Sequence, residues 1–141
     1  MAFEFFLKIT VWQKTNETFF TLINILNGHT NDVNSLAVLS NNMFASASND
    51  NSIRIWDQNT FECLNVLKDH KNYVNSLVVI RNEYLISVSS DQSIIFGDIL
   101  NNFTKLTTTK TDAGLFSVAL LSNDSFGYVQ NFLWIIHEMI V

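Results

Sequence analysis

The stretch VNSLAVLSNNMFASASND (residues 33–50) returns as VNSLVVIRNEYLISVSSD (residues 74–91). The offset is about 41 residues, and self-similarity at one fixed spacing marks a repeat architecture. A unit of that length is a single supersecondary element that cannot bury its apolar face alone, so copies must stack on their neighbours. The chain therefore reads as a tandem array, and array geometry, not one catalytic pocket, is expected to set its function.

Within the units, period-2 alternation and β-branched residues dominate, and no segment sustains a helical period. Strands are expected at 20–26, 33–39, 44–48 and 53–56, then at 63–67, 74–80, 84–89 and 93–99. The run at 33–39 is so apolar that burial on both faces is expected. Proline is absent, so Asn, Asp and Ser must make the turns. Ser40-Asn41-Asn42 is a tight hairpin signal because Asn tolerates left-handed backbone angles. A third copy starts at 103–107 and continues as SVALLSNDSF (residues 117–126), two periods beyond SLAVLSNNMF (residues 35–44). The class is all-β.

Hydrophobic residues make up 48% of the 141, with twelve Phe and three Trp, enough for a packed core and too many for disorder. The net charge of −5 leaves no electrostatic footprint for nucleic acid or an anionic membrane, so neither is an expected partner. The single cysteine, Cys63, is expected to be a small buried hydrophobe. The first residues carry Glu4 and lack both a basic leader and a small-residue cleavage site. The apolar run FLWIIHEMIV is too short to span a bilayer. The sequons at Asn16, Asn102 and Asn123 are then chance matches, and an intracellular protein, cytoplasmic or nuclear, is expected.

Residues 26–57 place Gly28-His29 early, a Ser-rich strand next, Asp50 in the following turn and Trp56-Asp57 at the close. In this the chain resembles the WD-repeat (WD40) β-propeller family. The second unit keeps His70, Ser87 and Asp91 but has Asp69 for the Gly, and Gly97 stands where the Trp should be. The third has Thr111 at the His position and loses the pattern after Phe126. The resemblance implies four-stranded antiparallel blades in a partial, open β-propeller. Residues 1–26 would form the outer strands of a leading part-blade, 27–69 the first blade, 70–110 a degenerate second blade and 111–141 a decayed trailing part-blade. Two blades and two part-blades do not close a ring of about 4–8.

His29, Ser46 and Asp50, repeated as His70, Ser87 and Asp91, have the residue types of a nucleophilic triad. The resemblance instead implies a buried structural network, Asp to His to Ser to Trp56, one per blade. Repetition favours that reading, because an enzyme has little use for the same triad in every unit. The second network, with Gly97, would lack one donor and leave its blade looser. The three histidines, His137 included, fall in separate units without ligand spacing, so neither metal nor cofactor is expected. Trp12, Trp56 and Trp134 are expected in the core between blades.

The resemblance also implies a partner-binding rim formed by the turns beside the network. Here it would present Thr30, Asn31, Asp32 and Asn49 from one blade, and Lys71, Asn72, Tyr73 and Ser90 from the next. Tyr73 is the anchor candidate, since Tyr is enriched in binding hot spots. The expected function is a non-enzymatic scaffold presenting this rim to a protein or peptide, as a fragment of a longer propeller. One alternative is a half-propeller that closes as a homodimer through its part-blades; a remote one is a hydrolase using the His, Ser and Asp set.

Overall fold

The computed structural model describes residues 7–122, 124–130 and 133–138, the last group as backbone alone. Thirteen strands and no helix occur among the described residues. They form four antiparallel sheets joined in sequence order. The leading sheet pairs β1 (Ile9–Lys14) with β2 (Phe20–Leu26). The first four-stranded blade runs β3 (Val33–Val38), β4 (Met43–Ser48), β5 (Ile53–Asp57) and β6 (Cys63–Leu67). The second runs β7 (Val74–Ile80), β8 (Tyr84–Ser89), β9 (Ser93–Asp98) and β10 (Thr104–Lys110). The trailing sheet holds β11 (Leu115–Ser122), β12 (Ser125–Gln130) and β13 (Leu133–Glu138). None of the sheets closes on itself, and the architecture is that of a partial, open propeller.

The turns follow from residue chemistry. Asn41 and Asn42 have φ of 59° and 56°, and Arg81 and Asn82 have 55° and 57°. Two consecutive left-handed residues make the type I′ hairpin that matches strand twist, and Asn reaches it at little cost. Between β4 and β5, and again between β8 and β9, Asn51 and Gln92 turn left-handed beside the acidic residue.

Among the described residues, three apolar cores lie between adjacent sheets. Ile9 and Leu26 pack with Trp56 between the leading sheet and the first blade. Ala37, Leu39, Ala45 and Ile55 meet Val74, Leu77 and Leu85 between the two blades. Ile80, Ile86 and Val88 meet Leu115, Val118 and Phe126 between the second blade and the trailing sheet. Each unit thus buries its faces only against neighbours, as a one-dimensional array requires.

Three expectations need correction. β3 is buried on one face only: Ala37 and Leu39 face the second blade, while Leu36 and Val38 are exposed, because among the described residues the leading sheet brings only β1 and β2 to that side. Trp12 is not core; it stands 56% exposed on a leading sheet that has two strands among the described residues. Cys63 is exposed, since β6 is an outermost strand. The side chains of Trp134 and His137 lie outside the described residues.

Candidate functional site

In the first blade the polar residues form one continuous chain. His29 Nδ1 lies 2.8 Å from Asp50 Oδ2, and His29 Nε2 lies 2.7 Å from Ser46 Oγ. A carboxylate only accepts, so Nδ1 carries the proton and Nε2 accepts from the Ser46 hydroxyl. Ser46 Oγ in turn accepts the indole N–H of Trp56 at 2.8 Å. Ser52 donates to Asp50 Oδ1 at 2.6 Å. Ser46 and Trp56 are 0% and 2% exposed, so the chain is satisfied in a low dielectric, where a missing partner is costly.

Burial disfavours the imidazolium and lowers the His29 pKa, an effect only partly offset by Asp50. Burial alone would raise Asp50, but bonds from Ser52, His29 and the backbone N–H of Thr30 outweigh it and bring it to about 2. The resting state is a neutral imidazole against an ionised carboxylate.

The second blade repeats the chain up to its last member. His70 Nδ1 is 3.0 Å from Asp91 Oδ2, His70 Nε2 is 2.8 Å from Ser87 Oγ, and Ser93 bonds Asp91. Burial again lowers the histidine, with Asp91 opposing. Where the indole would sit, Gly97 borders a cavity of about 20 Å³ lined also by Asp69, His70, Ser87, Phe103 and Lys105. Asp69 Oδ1 pairs with Lys105 Nζ at 3.3 Å. In the trailing sheet the positions of His and Ser are held by Thr111 and Tyr128. Thr111 Oγ1 donates to Ala113 O at 2.8 Å, while Tyr128 is buried in the apolar core.

The same carboxylates hold the neighbouring loops. Asp50 Oδ2 accepts from Thr30 N at 3.0 Å, and Asp91 Oδ2 accepts from Lys71 N at 2.7 Å. Ser48 Oγ donates to Asn31 O at 3.0 Å, and Ser89 Oγ to Asn72 O at 3.1 Å. Asn49 N donates to Asp32 O at 2.9 Å, and Ser90 N to Tyr73 O at 3.0 Å. Each named rim residue is therefore fixed by backbone hydrogen bonds to its own blade. Thr30, Asn31, Lys71 and Asn72 are exposed, as is Tyr73 at 47%, while Asp32, Asn49 and Ser90 are half-buried. The clamp serines Ser48, Ser52, Ser89 and Ser93 were not singled out from sequence. Their recurrence as pairs at the repeat spacing was the available signal.

A triad needs a serine that substrate can reach. Ser46 and Ser87 are 0% and 2% exposed, and the Trp56 indole N–H is bonded to Ser46 Oγ. Among the described residues, no three His, Cys, Asp or Glu side chains converge as a metal site.

A family model described as "WD domain, G-beta repeat" matches residues 20–57 and 61–96, together just over half of the chain. No curated protein matches it.

Proposed function

The chain belongs to the WD40 family, and from that premise we propose that it is a non-enzymatic scaffold whose rim loops bind a protein or peptide. The supporting observation is the double use of Asp50 and Asp91. Each anchors a buried histidine and, through the same oxygen, the backbone of a rim loop. Loops held in this way lose little conformational freedom on binding, which is how a scaffold lowers the cost of recognition. Tyr73 projects from one of them as the aromatic anchor, with Asn49 and Lys71 beside the same pair of clamps. Two blades and two smaller sheets are fewer than the four to eight blades that close a ring. The strands that complete it come from a longer chain or from a second copy.

The test is selection from a displayed peptide library against the whole chain. Peptides enriched on the wild type should lose affinity roughly tenfold or more on a Tyr73→Ala, Asn49→Ala, Lys71→Ala variant, the scale of hot-spot truncation. A control at Thr107 on the exposed β10 should bind as the wild type does. Selected peptides that bind the rim variant unchanged would sink the proposal.

A further inference from the structure

The repeat supplies its own control for which surfaces are meant to be covered. Leu36, Leu77 and Val118 occupy one repeat position, on the side of the inner strand facing the preceding sheet. Leu77 and Val118 are each 6% exposed, whereas Leu36 is 55% exposed. Leu39, Ile80 and Leu121 occupy a second position, on the side facing the following sheet. Leu39 and Ile80 are 4% and 0% exposed, whereas Leu121 is 50% exposed. Identical positions are buried inside the row and open at its two ends. Contiguous apolar surface of that kind marks an interaction site.

At the leading end the open face forms a groove of about 510 Å³, walled by Ile9, Val11, Trp12 and Ile23 on one side and Leu36 and Val38 on the other. Among the described residues β1 pairs only with β2, so its other edge presents unpaired backbone groups, which invite another strand. Position by position, the leading sheet holds the two outer strands of a blade. The trailing sheet holds the inner ones.

We propose that the groove receives the β11–β12 hairpin of a second copy of this chain, completing a composite blade. The occupant must offer β3 what the β3–β4 hairpin offers β7, namely a leucine at the position of Leu39. The hairpin β11–β12 carries Leu121 there, uncovered in its own chain. Between blades, Asn34 Nδ2 donates to Val74 O at 2.9 Å and Asn75 Nδ2 to Leu115 O at 2.6 Å. The third residue of that series is Phe116, 53% exposed, so the joint between copies replaces the amide bond with apolar contact. For β1 to pair with β12, the partner's β13 gives up the edge of β12 that it holds. Two copies related by a two-fold axis make two such joints and about six blades, within the range that closes a ring. The inference rests on the blade array alone, and neither surface includes the rim residues, so rim variants leave it untouched.

Sedimentation velocity of the full chain over a wide concentration range, under reducing conditions because Cys63 is exposed, reads the association. A monomer–dimer equilibrium is expected, weakened tenfold or more by Val38→Asp on one face or Leu121→Asp on the other. Phe116→Asp is a second variant for the trailing face, and circular dichroism checks that each monomer keeps its strands. An equimolar mixture of Val38→Asp and Leu121→Asp should recover dimer, because one joint then pairs two unaltered faces. Hydrogen exchange should slow in β1 and quicken in β13 as dimer forms. A monomer at every concentration, a dimer indifferent to both substitutions, or a mixture no better than either variant alone would overturn the proposal.

Discussion

The two complete blades solve one packing problem with opposite distributions of bulk. In the first, the Trp56 indole caps Ser46 and leaves so little room that a Cβ on Gly28 would sit 3.1 Å from Cη2. In the second, the large and small residues change places: Asp69 stands at the Gly position and Gly97 at the Trp position. Phe103, at the position of the exposed Glu62, is buried and lines the space an indole would take. Only about 20 Å³ remains, and the His70, Ser87 and Asp91 distances stay within a few tenths of an ångström of those in the first blade. The lesson is that histidine, serine and aspartate form the conserved geometry of the two blades, while the indole is a lid that a coupled set of substitutions can replace.

The largest expected effect comes from removing the lid where nothing replaces it. Trp56→Gly deletes a side chain that is 2% exposed, and neither Gly28 nor Glu62 can fill the gap. The loss should be about 3–5 kcal/mol, the range for deleting a buried aromatic. Urea denaturation of the full chain measures it. A cost below about 1 kcal/mol would mean that the indole is no more than an ornament on the polar chain, and the comparison would fail.

The next effect separates the serines. Ser46→Ala orphans two buried groups, His29 Nε2 and the indole N–H; Ser87→Ala orphans His70 Nε2 and loses only a 3.5 Å approach to Ile95 O. With about 1–3 kcal/mol for each buried group left unpaired, Ser46→Ala should cost more by about 1 kcal/mol or above. Equal midpoint shifts in the two urea curves would show that the indole hydrogen bond carries no net weight.

How much of this was legible in the sequence follows the same division. The spacing and alternation in residues 33–50 and 74–91 were enough to place the strands, and the resemblance to the WD-repeat family supplied the four-stranded sheets, in which each strand's neighbours lie next to it in sequence. His29, Ser46 and Asp50 were named for a buried chain, and the structure brings them together. What sequence could not reach was what covers a face. Val33 to Leu39 looks buried on both sides by composition, yet Leu36 and Val38 are open because burial depends on which strands of the neighbouring sheet reach that face, not on the strand itself. Trp12 and Cys63 failed for the same reason, one on a two-stranded sheet and one on an outer strand. The compensation by Asp69 and Phe103 was hidden as well. Gly97 is a lost donor in the sequence and in the structure alike; only the filling of the space beside it needed the surrounding residues.

The finest effect sharpens the idea of a coupled set. Gly97 has an ordinary backbone, and a Cβ there would meet only Leu85 O at 3.7 Å and Phe103 O at 3.8 Å, so a side chain is sterically admissible. Gly97→Trp alone must nevertheless push into Asp69 and Phe103, an overpacking that costs about 1–3 kcal/mol. Asp69→Gly alone gives up the half-exposed pair with Lys105, worth at most about 1 kcal/mol. Made together, the two changes remove the clash with Asp69 and leave only Phe103 to give way before an indole N–H can reach Ser87 Oγ. The double variant should therefore be more stable than the sum of the single changes by on the order of 1 kcal/mol, a coupling typical of residues in contact. Urea curves on the four chains close the cycle. Simple additivity would mean that Phe103 alone has replaced the lid and that the exchange at 69 and 97 is two independent substitutions.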